Sequence, residues 1–164
     1  VRIQQVSIGS RDHPLLRAAL RAAHRGVHVR ILLDGSWYLR EENRALVAWL
    51  NDRAASEELP LEARLVSPRG RFGKSHVKGL VVDGDEVVLG SPNWNNVSLR
   101  ENREVAVILE GDSVGAYYGR VFRADWRGGR WWLPLGLVAV VGSGAIAGGL
   151  VLSRTVRFER SGYG

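Results

Sequence analysis

Hydrophobic and polar positions change period several times along the chain, and each change predicts an element. Residues 3–8 and 27–33 (VHVRILL) are short β-branched runs that read as strands. Between them, DHPLLRAALRAAHRG sets apolar and alanine positions at helical spacing. Asp12 is the candidate cap, Pro14 sits near the first turn and Gly26 is the stop. Strand, helix, strand of this length is a βαβ unit, which predicts a parallel pair with a right-handed crossover. A second helix is expected over 40–55, a strand near 62–66 and an Arg- and Gly-containing loop over 67–75. Strand-like runs follow at 76–82, 86–90 and 104–109, then a helix near 112–126 that ends at Gly128-Gly129. The alternation predicts an α/β layered domain.

The pattern then changes character. From Leu133 to Leu152 there are 20 residues without a charge. At ~1.5 Å per residue a helix of that length spans ~30 Å, the thickness of a bilayer core. Trp131 and Trp132 stand at one border, with Arg127 and Arg130 before the run and Arg154 and Arg157 after it. The run therefore reads as a single membrane-spanning helix; glycines at 136, 142, 144, 148 and 149 keep a buried helix or hairpin as the alternative. The expected division is a domain over 1–128, a transmembrane helix with its interfacial flank over 129–153, and a short basic tail over 154–164. Basic residues on both sides leave orientation undecided by positive-inside counting, and the lean is to an extracytoplasmic domain. Gly144 and Gly148 form a GxxxG, a candidate membrane dimer contact, although glycines also simply occur in such helices.

Composition adds three constraints. A length of 164 residues leaves room for one domain with a modest core plus an accessory segment. The chain opens on Val1 and directly on a strand, so its start reads as a processed end or a piece of a longer protein, with any secretory signal upstream. Without cysteine there are no disulfides and no thiolate metal sites. The net charge of +6 is carried by 21 Arg and only 2 Lys, a skew that points to a genome biased toward arginine. Both lysines, Lys74 and Lys78, fall in one five-residue stretch. An ammonium and a guanidinium are not interchangeable, so that stretch is where chemistry is sought.

It reads Ser75-His76-Val77-Lys78, and runs on to Asp83-Gly84-Asp85 and Gly90-Ser91-Pro92-Asn93. In a strand, His76 and Lys78 point to the same face. A hairpin turn is signalled at Asp83-Gly84 or at Gly84-Asp85. The first register puts His76 opposite Ser91; the second puts His76 opposite Asn93 and Lys78 opposite Ser91. Either gathers an imidazole, an ammonium, a hydroxyl and an amide, which is a phosphate site. A phosphodiester resists attack until charge on its non-bridging oxygens is neutralised, for which Lys78 supplies charge and Ser91 and Asn93 neutral donors. Neutral histidine can attack phosphorus or pass a proton near physiological pH. A carboxylate on its other ring nitrogen would fix the tautomer, and Glu104 is the candidate.

HxKxxxxD, six residues, then GSxN resembles the HKD motif of the phospholipase D superfamily, here His76, Lys78, Asp83, Gly90, Ser91 and Asn93, with Glu104 at the place of the family's downstream acid. GVHVRILLD before the motif and REVAVIL after it also fit, so the resemblance covers roughly residues 1–126. It implies a layered α/β/α domain with a mixed, largely parallel sheet. It also implies a phosphohistidine intermediate, a second histidine from a second HKD half that protonates the leaving alcohol, and no metal or other cofactor. Asp83 is then counted with His76, Lys78 and Glu104 in the catalytic set, in a structural or orienting role.

The chain departs from that pattern by carrying one motif. His13, His24 and His28 have no lysine two residues on and read as surface or capping residues. The second half is expected from an upstream repeat or from a homodimer mate. Arg64, Arg69, Arg71, Lys74 and Lys78 form an acid-free stretch that suits anionic headgroups or a nucleic-acid backbone, or is an ordinary solvated loop. Trp37, Tyr38 and Trp94 border the site as candidate substrate contacts, with packing the favoured role. The leading expectation is a membrane-tethered phosphodiesterase acting on phospholipid by hydrolysis or transfer. A nuclease of the same superfamily is the runner-up, and a non-catalytic membrane-anchored binding module is the alternative of another class.

Overall fold

The computed structural model describes residues 1–36, 38–66 and 73–128, and Val1–Gly129 form one compact unit. Strands β1 (Arg2–Gln5), β2 (Val29–Asp34), β3 (Leu61–Val66), β4 (Gly79–Val82), β5 (Glu86–Gly90) and β6 (Ala106–Glu110) make one sheet in the order β3-β2-β1-β4-β5-β6. The helices are α1 (Pro14–His24), α2 (Arg40–Ser56), α3 (Asn96–Arg100) and α4 (Asp112–Trp126).

The β1-α1-β2 and β2-α2-β3 units give parallel pairs, as the hydrophobic pattern predicts. Beyond them β4 runs antiparallel to β1, β5 to β4 and β6 to β5. The sheet is thus mixed with an antiparallel half, not largely parallel. The reason is geometric: β4 starts at the end where β3 finishes, and a three-residue turn then sends β5 straight back, which only an antiparallel pair permits.

Side-chain parity builds the layers. Ile31 and Leu33 of β2 join Leu16 and Leu20 of α1 and Leu46 and Leu50 of α2 in one core. Leu32, between them, points the other way, into a cluster with Val66, Phe122 and Trp126. Helices therefore cover both faces, with α4 opposite α1 and α2. In α1, Pro14 stands at the first turn as expected, but the cap position is His13 rather than Asp12. Helix α3 is absent from the sequence expectation; Asn95 starts it by accepting the Ser98 N–H at 2.8 Å.

Val82 pairs with Glu86, so Asp83, Gly84 and Asp85 form a three-residue loop, with φ of +46° at Asp83 and +105° at Gly84. The register lies between the two anticipated ones, and Lys78 accepts the Gly90 N–H at 3.2 Å. Helix α4 starts beside this turn, where Gly111 donates to the Asp85 carbonyl at 2.8 Å. Its last turn reaches across the sheet to β1, where Gln4 donates to Asp125 at 2.8 Å.

The uncharged run 133–152 with its GxxxG, loop residues 67–72 and Trp37 lie outside the described residues. Among the described residues no helix is long and apolar enough to cross a membrane.

Candidate active site

The site assembles at the end of the sheet where β1, β2 and β3 finish and β4 begins. Residues 74–78 approach β4 without ladder partners of their own, so this segment is held by side chains instead. Asp34, the last residue of β2 and 0% exposed, accepts the Ser75 N–H at 2.8 Å. Gln4 of β1 donates to Ser75 Oγ at 3.1 Å. The same Asp34 carboxylate accepts the Ser36 N–H at 3.3 Å and the Ser36 hydroxyl.

From this anchored segment His76 and Lys78 emerge on one side. Lys78 Nζ lies 3.0 Å from Nε2 and 3.2 Å from Nδ1 of His76, and 3.4 Å from its carbonyl oxygen. Lys78 is only 9% exposed, whereas His76 is open to solvent. Desolvation first, then the charges of Lys78 and Lys74, hold the His76 imidazole below its ordinary value of 6.5, against an opposing pull from Asp34. Each of these leading effects favours the neutral imidazole. Burial, then Lys74, also lowers Lys78 from 10.5, with Glu104 opposing.

The GSxN arm is shaped by contact with β6. A Cβ at Gly90 would strike the Val105 carbonyl oxygen and come within 2.9 Å of the Ala106 Cα. Glycine lets the strands close there, and Ser91 completes the contact. Its N–H donates to the Val105 carbonyl at 2.9 Å and its Oγ accepts the Val105 N–H at 3.1 Å. The Ser91 hydroxyl proton goes to Glu104, whose other oxygen accepts from Asn102 at 3.1 Å. Those two hydrogen bonds lead the effects that lower the Glu104 carboxyl below its usual range.

Two anticipated roles change accordingly. The Ser91 hydroxyl is engaged with Glu104 rather than free to donate to phosphate, and Glu104 is bonded to Ser91 and Asn102 rather than to His76. Asn93, on the arm following β5, carries a buried side-chain carbonyl oxygen, Oδ1, with no hydrogen-bond partner among the described residues. Asp83 is not brought to this site. It occupies the left-handed loop position at the far end of β4, roughly 20 Å from His76 at ~3.3 Å per residue. It lies in the turn that the sequence predicts, a position that fits a structural role and keeps its carboxylate away from His76 and Lys78.

The other histidines divide. His24 pairs with Glu57 at 3.1 Å on the surface, and His28 is exposed. His13 is not a surface residue: it is 2% exposed and stacked on the Trp94 ring with centroids 6.0 Å apart, and its burial lowers its pKa. Trp94 is itself buried, in its favoured packing role, and Ile8 bridges to it. Tyr38 reaches the rim, with Lys74 Nζ 5.6 Å from its ring centroid. The anchors Asp34 and Gln4 were not singled out from the sequence. A polar residue ending the apolar run VRILL was the available signal.

Residues 1–126 match the family described as "Cardiolipin synthase, PLD-like domain". Over 102 residues the chain is 32% identical to cardiolipin synthase A of Salmonella arizonae, covering 62% of this chain and 20% of that protein. Cardiolipin synthase A of Salmonella newport matches to the same extent, so the chain spans about a fifth of the length of these curated relatives. Among solved structures, NucT from Helicobacter pylori superposes with a TM-score of 0.61 at 21% identity, over 77% of this chain and 78% of that one, a likeness of fold. The phospholipase D family member Nuc from Salmonella typhimurium gives 0.59 at 27% identity over 77% of each chain.

Proposed function

This chain belongs to the phospholipase D superfamily, and we propose that it supplies one half of a phosphodiesterase in which His76 attacks phosphorus while Lys78 neutralises the phosphoryl oxygens. The observation that carries this reading is the half-buried pair itself, an ammonium 3.0 Å from a solvent-facing imidazole. A ring nitrogen of His76 forms a P–N bond as the P–O bond to the leaving alcohol breaks. A histidine of a second HKD half gives its proton to that alkoxide. Water or an acceptor alcohol then loses a proton to the second histidine and breaks the P–N bond, giving hydrolysis or transfer. The side-chain N–H of Asn93 is the neutral donor to phosphate, and Glu104 shapes the arm through Ser91.

Phospholipid is the favoured substrate. The cardiolipin synthase relatives support it, as does the course of α4. Asp125, near the end of α4, is joined through Gln4 to Ser75, so the last turn of this helix lies on the side of the sheet that carries His76. The uncharged run begins seven residues after Trp126. A membrane helix there would tether the site near headgroups.

The second half, from an upstream repeat or a second copy, docks in this reading on the β6 side. Strand β6 ends the sheet among the described residues and carries Ile108 at 68% exposure, with Val105, at 70%, between it and Glu104. Apolar residues on an unpaired edge favour a partner over water.

The competing reading, a nuclease, draws on the net charge of +6 and on Lys74 beside the site. The full chain is assayed on phosphatidylglycerol vesicles and on single- and double-stranded DNA. Headgroup release or transfer lost in His76→Ala, without DNA cleavage, supports the phospholipid reading. DNA cleavage alone supports the nuclease. Neither activity from the protein carrying both halves, with no acid-labile phosphoenzyme, sinks the catalytic reading in favour of a binding module.

A further inference from the structure

Three elements converge on the one residue that precedes His76. From β2, the Asp34 carboxylate takes the Ser75 N–H at 2.8 Å. From β1, the Gln4 amide takes Ser75 Oγ at 3.1 Å, and the same nitrogen is fixed by Asp125 of α4 at 2.8 Å. Both anchors are buried, Asp34 completely, and Asn43 of α2 pins the Asp34 carbonyl at 2.7 Å and the Val6 carbonyl at 2.8 Å. A buried carboxylate is retained only where several donors satisfy it, and here the donors are Ser36 and the peptide of Ser75. The segment they hold has no ladder hydrogen bonds before Lys78. Its geometry therefore rests on these side chains.

We infer that Asp34 and Gln4 are positioning residues for the reaction, clamping Ser75 from both sides so that the His76 imidazole is fixed against Lys78. This rests on the proposed role of His76. Neither anchor touches the reacting atoms: each acts through the Ser75 peptide or hydroxyl. Asp34 has a second effect through space. It is the carboxylate acting on the His76 ring against Lys78 and Lys74, while Glu104 faces Lys78. Holding a nucleophile within a few tenths of an ångström is worth a large rate factor, since a misplacement of ~1 Å costs about a hundredfold.

The test uses the full chain and two readouts. In the first, histidine ring signals are followed by NMR against pH, with His76 assigned by His76→Gln. Asp34→Asn keeps an oxygen acceptor for Ser75 but removes the charge, so the His76 titration moves to lower pH. Ser75→Ala and Gln4→Ala leave the Asp34 charge in place, and the midpoint stays. In the second, steady-state kinetics on the substrate identified above should show kcat falling at least tenfold in Gln4→Ala and Asp34→Ala with KM little changed. Asp34→Asn recovers part of that loss. An unmoved His76 midpoint in folded Asp34→Asn, or wild-type kcat in folded Gln4→Ala and Asp34→Ala, overturns the inference. If the wild-type protein carrying both halves cleaves nothing, the proposed function fails while the titration still decides whether Asp34 acts on His76.

Discussion

Lys78 Nζ sits almost equidistant from the two ring nitrogens of His76, at 3.0 Å and 3.2 Å, so the ammonium lies against the ring rather than on one lone pair. Such a placement leaves either nitrogen free to react and lets the two side chains grip one tetrahedral anion between them. The buried, compact charge also explains why a lysine stands at 78 in a chain whose only other lysine is Lys74 and whose remaining basic side chains, histidines aside, are arginines. A planar guanidinium would need a wider slot and could not approach the ring in this way.

The first prediction follows from that fit. Lys78→Ala should reduce kcat/KM by at least about 10²–10³, the scale of removing one group that stabilises developing charge. Lys78→Arg should recover little of it despite the retained charge. Initial rates with the phosphodiester that the wild type turns over test both, and near-wild-type activity in Lys78→Arg would mean that charge alone suffices.

The pH dependence has a definite sign. The nucleophile is neutral His76, and its pKa lies below the ordinary 6.5, so activity should hold as pH falls through 6.5 and drop only below it. On the alkaline side the first limb follows the second half's histidine, which must carry the proton it gives to the leaving alcohol, and Lys78, whose pKa is lowered from 10.5, adds a further decline before an ordinary lysine would titrate. A kcat/KM profile between pH 4.5 and 10.5 reads both limbs. An acid limb at or above 6.5 would mean that burial and the charges of Lys78 and Lys74 do not together depress the ring.

The sequence made His76 and Lys78 legible because alternation holds in any extended segment, whether or not it belongs to a ladder. Asp83 was legible as a turn residue for another reason, the Asp-Gly signal, and the strand between carries it away from His76. The hairpin register fell between two readings because both assumed two-residue loops, and Asp83 takes a left-handed conformation that only the backbone reveals. The parallel half of the sheet was visible in its βαβ periodicity. The antiparallel half was not, because a hydrophobic run does not state the direction of its neighbour. Asp34 and Gln4 escaped notice because their partner, Ser75, is 41 and 71 residues away.

Gly90 offers a test of the motif's structural side. An added Cβ meets backbone of β6, which cannot yield as a flexible side chain would. Gly90→Ala should destabilise the fold by about 1–3 kcal/mol, as overpacking does, and loosen the Ser91–Glu104 contact beside it. Urea unfolding monitored by circular dichroism measures the change. A midpoint equal to wild type would mean that β6 shifts away at no cost.

The β6 edge yields the last prediction. Its outward residues alternate between the two faces of the sheet, and both Val105 and Ile108 are exposed, so neither face of the edge is satisfied by the domain itself. Ile108→Glu replaces an exposed side chain, which leaves the fold within about 0.5 kcal/mol of wild type because such surface changes rarely matter to stability. Association with the second half is another matter, since a carboxylate buried at an apolar contact without a partner weakens it by about 2 kcal/mol or more, roughly thirtyfold in Kd. Sedimentation of the full chain in detergent, alone and mixed with any upstream half, should show the variant shifted toward the lone species with its thermal unfolding unchanged. Activity should fall in parallel and return as protein concentration rises, because a half-site lacking its second histidine cannot protonate the leaving group. Unchanged association in Ile108→Glu and in Val105→Glu would place the second half elsewhere, leaving the exposed edge without a role in catalysis.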